Sequence, residues 1–445
     1  MIPHTSPFDI KVYPCSSLCG TVRAQPSKNY TTRFLLAGAL SSGLSWIRDV
    51  AESEDSLALQ SCLELWGAEL KRQGNDIQIR GFGSKPQSHQ MLNPRNAGAV
   101  TRFLIALAAL TEETTFVTDH PNSLGRRPNG DLLAALRDLG MTVWDEDGRL
   151  PISVFGKNIQ GGPVSVRASV SSQYLSGLMF LGPLLPLGLE ITVLGDIKSQ
   201  GPIRQTLHTL DCFGITAEAS VDLRRIFIPG NQTYQARDIH VPGDYPGSIA
   251  LLGAAALCGT DVTVDNLHPM DLQGERQALD VLWEMGADIS HTGQSVRIKG
   301  PKPLKAVSRN GDPFTDAVQA LSAVAAFAEG TTHFYNIETL RFKECDRISD
   351  TRSELNRLGV TVKETPNGLT IAGQPEIRGG IVADSHDDHR MVMMLTLIGL
   401  KCQLPLVILN AHAIRKSYPR FFEHLQTLGA HFDFLPSTSD SLEKN

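Results

Sequence analysis

Hydrophobic and polar positions repeat along this chain with a period of about 73 residues. Six times, a segment with helical hydrophobic spacing ends in an apolar residue and a Gly, and a strand-like run follows. These segments are LELWGAEL, LRDLGMTV, LDCFGITA, LWEMGADI, LNRLGVTV and LQTLGAHF, with glycines at 67, 140, 214, 286, 359 and 429. Gly suits the left-handed residue that ends a helix, so the pattern predicts six helix-to-strand junctions.

A second, more apolar helix begins about 40 residues before each of these glycines. The six helices begin within PSKNYTTR, NAGAVTR, SVSSQYL, GDYPGSI, TDAVQAL and DDHRMVM. Each repeat then has the order βαβαββ. The predicted fold class is therefore α/β (α+β), with two pseudo-threefold domains of three repeats each. We expect the first domain to span residues 26–242 and the second to combine residues 1–25 with 243–445.

Composition excludes several classes of protein. The chain of 445 residues is too long for one core, and 41% hydrophobic with 20% charged residues is typical of a globular protein. A net charge of −6 provides no broad basic surface for nucleic acid. Seven scattered cysteines and an N-terminus without an apolar leader predict reduced thiols and a cytoplasmic location. The longest apolar stretch is interrupted by Gly and Pro, so no membrane segment is expected.

Charged and hydroxyl residues recur where the apolar helices begin. A helix N-terminus attracts anions through its free N–H groups. Any one of these openings has an ordinary explanation as a helix cap, a tight turn or a solvated base. Their recurrence instead predicts a cleft for small, multiply anionic substrates. Its cations would be Lys28, Arg127, Lys343, Arg347, Arg390 and Lys416.

The stretch LRFKECDRISD, residues 340–350, is densely charged and follows a buried-looking apolar run. On a helix, Lys343 and Arg347 would share one face, and Glu344 would lie three residues before Arg347. One interpretation is an exposed ion-pair patch of little energetic weight. The other is that these side chains point into the predicted cleft, and the cations at the other helix openings favour it.

Two acidic stretches allow alternatives. In HDDHRM, residues 386–391, two histidines and two aspartates have ligand chemistry for a divalent ion. Asp387 and Asp388 equally suit a helix N-terminus, and no further ligand is suitably spaced, so we predict no metal. Asp316 opens the apolar helix DAVQALSAVAAFA, where it either caps the helix or supplies a carboxylate to the cleft.

Six motifs together resemble the 5-enolpyruvylshikimate-3-phosphate synthase (3-phosphoshikimate 1-carboxyvinyltransferase) family, over essentially the whole chain. The family's K-E-[ST]-D-R motif corresponds to Lys343–Arg347, and its N-D-H-R-M motif to Asp387–Met391. Its S-S-Q motif corresponds to Ser171–Gln173, and its N-A-G-T motif to Asn96–Ala99. Its R-P motif corresponds to Arg127-Pro128, and its Lys before an aromatic-Pro pair to Lys416 before Tyr418-Pro419. The resemblance implies two domains of three βαβαββ units, an inside-out α/β barrel arrangement, with the active site in the cleft between them.

The resemblance also implies a reaction and its residues. The enolpyruvyl group of phosphoenolpyruvate moves to the 5-hydroxyl of shikimate 3-phosphate, with Asp316 as base and Glu344 as acid, a role shared with Lys28. Shikimate 3-phosphate would be bound by Lys28, Asn29, Arg33, Ser171, Ser172, Gln173, Ser199, Asp316, Thr339 and Lys343. Phosphoenolpyruvate would be bound by Lys28, Asn96, Gly98, Arg127, Gln173, Glu344, Arg347, Arg390 and Lys416. No metal or organic cofactor is implied, and we expect a monomer.

The sequence departs from the family pattern mainly on the shikimate side. The departures are Asn29 for Ser, Arg95 for Gly, Ala99 for Thr, Pro202 for Tyr, Thr339 for Asn and Asp387 for Asn. One alternative is an enolpyruvyl transferase acting on UDP-N-acetylglucosamine, whose Lys-Asn pair resembles Lys28-Asn29. That enzyme usually has a Cys before its Arg-Pro, and HPNSLGRRP has none. A non-catalytic pseudo-symmetric binding scaffold is the other alternative.

Glyphosate, which competes with phosphoenolpyruvate in this family, raises a separate expectation. Ala99 lacks the hydroxyl of the usual Thr, the bulky Arg95 replaces Gly, and β-branched Val100 should repack the start of the helix. Packed interiors yield little, so a small shift would clash with the longer inhibitor first. We expect reduced glyphosate sensitivity.

Overall fold

The computed structural model describes residues 6–88, 91–156, 159–300 and 302–437. These residues form two compact units, Pro26–Pro242 and residues 6–25 with 243–437. Each unit buries its own apolar core. Among the described residues, no helix combines the length and the apolar character needed to cross a bilayer. The seven cysteines, all within the described ranges, are free thiols.

Strands and helices alternate along the chain in the described residues. The strands are β1 (Phe8–Val12), β2 (Leu18–Arg23), β3 (Leu44–Arg48), β4 (Glu69–Gln73), β5 (Asp76–Arg80), β6 (Met91–Leu92), β7 (Thr114–Phe116), β8 (Thr142–Glu146), β9 (Arg149–Phe155), β10 (Gly162–Arg167), β11 (Leu189–Leu194), β12 (Glu218–Ala219), β13 (Arg225–Ile228), β14 (Asp238–His240), β15 (Gly259–Asp265), β16 (Asp288–Thr292), β17 (Ser295–Lys299), β18 (Ser308–Asn310), β19 (Thr331–Tyr335), β20 (Thr361–Thr365), β21 (Gly368–Ala372), β22 (Val382–Asp384), β23 (Leu406–Leu409) and β24 (Phe432–Pro436). The helices are α1 (Lys28–Leu40), α2 (Glu54–Leu65), α3 (Gly98–Leu107), α4 (Gly130–Asp138), α5 (Gln173–Leu181), α6 (Gln200–Cys212), α7 (Tyr245–Cys258), α8 (Ala278–Glu284), α9 (Val318–Ala325), α10 (Arg347–Arg357), α11 (His389–Lys401) and α12 (Phe421–Thr427).

The strands of the described residues form six four-stranded sheets with one shared pattern. The orders are β14-β3-β5-β4, β6-β7-β9-β8 and β10-β11-β13-β12 in Pro26–Pro242, and β2-β15-β17-β16, β18-β19-β21-β20 and β22-β23-β1-β24 in the other unit. In β10-β11-β13-β12, for example, the first pair is parallel and the other two pairs are antiparallel. This is the arrangement that a βαβαββ repeat produces, and the predicted mixed α/β fold is confirmed.

Three nearly apolar helices lie in the core of each unit. They are α1, α3 and α5 in Pro26–Pro242 and α7, α9 and α11 in the other unit. Every residue of α7 is buried, as expected of a helix that is apolar on all sides. Their polar side chains are therefore concentrated at their N-terminal ends, where the sequence predicted them.

The six glycines of the repeat end six helices in the same way. All six have positive φ angles, between 76° and 107°. At Gly67, the glycine N–H donates to the Glu64 carbonyl and the next N–H donates to the Leu63 carbonyl, each at 2.9 Å. The same two bonds recur at the other five glycines, so each junction is a Schellman motif. The predicted helix-to-strand junctions are confirmed.

The first strands of the chain complete sheets made mostly of much later residues. β2 pairs in parallel with β15, placing Val22 opposite Val264. β1 lies between β23 and β24, with Ile10 opposite both Ile408 and Phe434. Residues 6–25 therefore belong structurally with the second half of the chain.

Candidate active site

The unit containing residues 243–437 brings charged side chains from four chain segments into one cluster. We call it the acid–base cluster; its members are Asp316, Lys343, Glu344, Arg347, Asp388, Arg390 and Lys416. Six of the seven were predicted as site residues, and Asp388 was not.

Arg347 lies at the centre of the acid–base cluster and is only 1% exposed. Its Nε donates to Asp388 at 2.8 Å, its Nη1 to Asp316 at 3.1 Å and its Nη2 to Glu344 at 2.8 Å. Burial alone would lower the pKa of Arg347, but the three carboxylates outweigh it and raise the pKa well above its ordinary value. Arg347 is therefore a permanent cation that fixes three carboxylates.

Helix capping positions this arginine. Asp346 accepts hydrogen bonds from the N–H groups of Ile348 and Ser349, each at 3.1 Å, so α10 begins at Arg347. Lys343 and Glu344 precede the helix, so Lys343 and Arg347 do not share a helix face. The pairing of Glu344 with Arg347 forms nevertheless, across the helix start. Because the Glu344 side chain is only 7% exposed, the exposed-patch interpretation is also wrong.

Asp316 contacts three cations from two other chain segments. It lies in the 3-10 turn Asp312–Ala317, immediately before α9. Its carboxylate is 3.1 Å from Arg347 Nη1, 3.4 Å from Arg390 Nη2 and 3.7 Å from Lys343 Nζ. These contacts favour a site carboxylate over a simple cap.

Within the cluster, Glu344 also contacts Lys416, and Asp388 also contacts Arg390. The second oxygen of Glu344 lies 3.4 Å from Nζ of Lys416, which is itself buried. Asp388 caps α11, accepting from the N–H of Arg390 at 2.7 Å. The Nε of Arg390 is buried and has no hydrogen-bond partner within the described ranges. A guanidinium donor in that state is suited to an anionic ligand or a water molecule.

The geometry bears on the metal alternative in HDDHRM. His386 pairs with Glu354, its Nε2 lying 3.4 Å from the carboxylate, so the two histidines do not form a shared site. Glu344, Asp388 and His389 do offer ligand atoms within 4.8 Å of one another. However, Arg347 and Lys416 already neutralise the two carboxylates and would repel a divalent cation. The described residues therefore favour ion pairing over metal binding.

The unit Pro26–Pro242 holds a second group of predicted residues around the start of α3. A Cβ added to Gly98 would lie 2.6 Å from Nη1 of Arg127 and 3.3 Å from Nη1 of Arg102, so both guanidinium groups lie against this helix start. Arg102 also donates to Oε1 of Gln173 at 2.6 Å and to the Pro128 carbonyl at 3.2 Å. The structure thus brings Gly98, Arg127 and Gln173 together.

Arg102 was not predicted as a site residue. It falls within the quoted stretch NAGAVTR, one helical turn after Gly98, and this spacing is the signal that was available.

Two further predicted cations lie on α1. Ser27 caps this helix, and Lys28 Nζ pairs with Asp55 at 3.0 Å. Arg33 is only 2% exposed, and its donors bond to the Thr206 hydroxyl and to the carbonyls of Asn29 and Pro202. Burial lowers the pKa of Arg33 to about 10, because no carboxylate in the described part of the chain pairs with it. Its direct contact with substrate stays a prediction.

The predicted hydroxyl residues occupy helix starts and turns. Ser171 accepts from the N–H of Gln173 at 3.3 Å, while the neighbouring Ser172 is buried. Ser199 precedes α6 with a left-handed φ of 53°. Thr339 is buried in the 3-10 turn Glu338–Phe342, and its hydroxyl has no hydrogen-bond partner among the residues described. Their part in binding shikimate 3-phosphate stays a prediction.

Comparison with known proteins identifies close relatives. The sequence model described as EPSP synthase (3-phosphoshikimate 1-carboxyvinyltransferase) matches residues 12–425. A 3-phosphoshikimate 1-carboxyvinyltransferase from Deinococcus radiodurans is 58% identical over 432 residues, covering 97% of this chain and 98% of that protein. An enzyme of the same name from Methanosarcina acetivorans is 36% identical, covering 93% and 96%.

The fold is also found among solved structures. An EPSP synthase from Acinetobacter baumannii superimposes with a TM-score of 0.80 at 23% identity, covering 96% of this chain and 99% of that one. At this identity the likeness speaks for the fold, and it agrees with the six sheets described here.

Proposed function

The chain belongs to the EPSP synthase (3-phosphoshikimate 1-carboxyvinyltransferase) family, and we propose that Asp316, Glu344 and Lys28 act at the reacting atoms of its transfer reaction. The enzyme moves the enolpyruvyl group of phosphoenolpyruvate to the 5-hydroxyl of shikimate 3-phosphate, giving 5-enolpyruvylshikimate 3-phosphate and phosphate. The observation that carries the proposed roles is that one buried guanidinium, Arg347, holds both Asp316 and Glu344.

Addition comes first. The Asp316 carboxylate takes the 5-hydroxyl proton while that oxygen bonds to C2 of phosphoenolpyruvate. The C2=C3 electron pair takes a proton from Glu344, so the methylene carbon becomes a methyl group. Lys28 shares this acid role.

Elimination follows. The C2–O bond to phosphate breaks, a methyl proton returns to Glu344, and the double bond re-forms, while the proton that Asp316 took up leaves with the phosphate. Fixed cations stabilise the departing phosphate, because charge develops on its bridging oxygen.

Cations in both units support the binding of the anionic groups. We propose that phosphoenolpyruvate contacts Lys28, Asn96, Gly98, Arg127, Gln173, Glu344, Arg347, Arg390 and Lys416. We propose that shikimate 3-phosphate contacts Lys28, Asn29, Arg33, Ser171, Ser172, Gln173, Ser199, Asp316, Thr339 and Lys343. The four cations of the acid–base cluster outnumber its three carboxylates, which leaves positive charge for these ligands.

Inhibitor, location and assembly are further parts of the proposal. The structure buries Val100 and leaves Ala99 partly exposed at the start of α3, which supports reduced glyphosate sensitivity. The size of Arg95 does not affect the packing of the helix start, because its side chain is exposed. The φ of Arg95 is 52°, a left-handed value that a Gly at this position would adopt readily. We propose that the enzyme is a cytoplasmic monomer, and its free thiols agree with a reducing compartment.

A phosphate-release assay tests the function. Phosphoenolpyruvate is supplied with shikimate 3-phosphate, with UDP-N-acetylglucosamine, and alone. We expect phosphate only with shikimate 3-phosphate. Release with UDP-N-acetylglucosamine would support the alternative acceptor, and no release with either would support a binding scaffold.

A further inference from the structure

Glu275 is a buried acid next to the acid–base cluster, outside the residues assigned to substrates. It lies in the 3-10 turn Gly274–Gln277 and is 8% exposed. This turn packs against α7 and against the turn Asp312–Ala317, which carries Asp316. A carboxyl group with so little access to water is retained only where neighbouring groups compensate its charge.

The position of this turn is fixed by its neighbour Gln273. Gln273 Nε2 donates to the Gly243 carbonyl at 2.8 Å, and its Oε1 accepts from the N–H of Tyr245 at 3.1 Å. The hydroxyl of Tyr245, a titratable group at the start of α7, donates to the His268 carbonyl at 2.8 Å. The backbone that carries Glu275 is therefore tied to the start of α7.

Three charged groups act on the Glu275 carboxyl from the elements around it. They are Asp316 from its turn, Asp244 from the cap of α7, and Arg390 from α11. Burial is the largest effect, and with Asp316 and Asp244 it raises the pKa of Glu275 to about 7 against the opposing effect of Arg390. Glu275 therefore changes charge close to neutral pH.

The position of Glu275 near Asp316 explains how Asp316 can act as a base despite the cations around it. A carboxylate surrounded by Arg347, Arg390 and Lys343 is a weak base, because each cation stabilises its charged form. A second carboxylate nearby has the opposite effect and favours the uptake of a proton.

We infer that Glu275 is a positioning residue for proton transfer: its negative charge offsets the cations around Asp316 and keeps Asp316 able to accept the hydroxyl proton. The inference rests on the proposed role of Asp316 as base. Turnover then rises with pH as Glu275 ionises, since only the charged form opposes the cations.

The test compares the pH profiles of wild type, Glu275→Gln and Glu275→Asp. Against wild type, kcat of Glu275→Gln should fall roughly three- to tenfold at pH 8.5 and stay within about twofold at pH 5.5. KM for both substrates should change little, and Glu275→Asp, which keeps the charge, should retain the wild-type profile shape. Asp280→Asn, which removes an exposed carboxylate on α8, should match wild type.

Three kinetic outcomes would overturn the inference. A loss of the same size at both pH values would indicate a merely structural role, and an unchanged profile would indicate none. A pH effect in Asp280→Asn equal to that in Glu275→Gln would assign the change to overall charge, and that too would overturn it.

A second measurement needs neither turnover nor a folded Glu275 variant. Carbon-13 carboxyl titration of the full chain should show a group titrating near neutral pH, and its midpoint should fall in Asp316→Asn, where one negative neighbour is lost. The absence of such a group, or an unmoved midpoint, would overturn the inference. Absence of phosphate release in wild type would instead refute the proposed function, and the titration would still report on Glu275.

Discussion

Arg33 and Arg347 are both buried arginines in sites of the same repeated fold, but their partners differ. Arg33, in Pro26–Pro242, is held by a hydroxyl and two carbonyls, all of them neutral. Arg347, in the other unit, is held by three carboxylates. Their pKa values respond in opposite directions, since burial lowers that of Arg33 and the carboxylates raise that of Arg347.

The difference indicates that the two groups of site residues have different functions. A cation held by neutral acceptors keeps its full charge for an anionic ligand, as Arg33 does. Cations held by carboxylates attract an anionic ligand less strongly, because the carboxylates neutralise much of their charge. They also fix the positions of the carboxylates that can transfer protons. Lys28, which pairs with Asp55, does not follow this pattern. We therefore assign mainly anion binding to the first unit and proton transfer to the acid–base cluster.

The largest expected effect comes from removing the acid or the base. Asp316→Asn and Glu344→Gln should each lower kcat by about two to four orders of magnitude, as loss of general acid–base catalysis does. Binding of shikimate 3-phosphate, measured by calorimetry, should survive. Glu423→Gln, on the exposed face of α12, is the control. Turnover within about threefold of wild type would contradict the division proposed here.

A smaller effect is expected where Gly98 supports the arginines of the first unit. In Gly98→Ala, the new methyl group would displace the guanidinium of Arg127. Loss of a charged hydrogen bond should raise KM for phosphoenolpyruvate roughly tenfold or more, with a lesser change in kcat. Gly130→Ala is a matched control, because Gly130 also begins a helix in this unit and its added Cβ meets nothing within 4 Å. An equal effect of both variants would contradict the contact.

Glyphosate tests the same helix start more finely. We expect the inhibition constant to lie near or above the Michaelis constant for phosphoenolpyruvate. Ala99→Thr restores the family's hydroxyl and should lower the inhibition constant several-fold, while KM changes less. An inhibition constant far below KM in wild type would show that Ala99 and Val100 leave the ordinary sensitive geometry intact.

The smallest effect concerns pH and His386. Its ion pair with Glu354 raises the pKa of His386, so the pair stabilises the fold below the ordinary histidine pKa. This contribution is lost as pH rises through the raised value. His386→Asn, which tolerates the left-handed backbone at this position, should remove less than about 1 kcal/mol at pH 5.5 and almost nothing at pH 9. Denaturant unfolding at both pH values measures this, and an equal loss at both would exclude the ion pair.

Features that depend on local backbone conformation could be predicted well from the sequence. Gly67 and its five counterparts occur where a left-handed residue must follow a helix, so their spacing revealed the repeat. The helix start at Arg347 was harder to predict. Spacing alone allowed the helix to include Lys343, but the cap formed by Asp346 begins it later.

Contacts between distant residues explain what was missed at the site. Asp388 reaches Arg347 across 41 residues of sequence, and Gln173 reaches Arg102 across 71. Glu275 lies in a turn that does not begin an apolar helix. The repeat pattern singled out only the starts of apolar helices, so it did not predict Glu275 as a site residue. Cations at helix starts could be predicted from pattern, and so could Asp316 and Glu344, whereas the contributions of Asp388 and Glu275 depend on tertiary packing.

The two strands at the start of the chain have a consequence for synthesis. Domains generally fold as units as the chain emerges from the ribosome, at roughly 5–20 residues per second. The segment Pro26–Pro242 is contiguous and can fold once it has been made. β1, however, must wait for β23 and β24 near the other end of the chain, which takes on the order of 20–80 s at these rates. During that interval β1 lacks the two strands with which it pairs, so it can be bound by chaperones that recognise extended apolar segments.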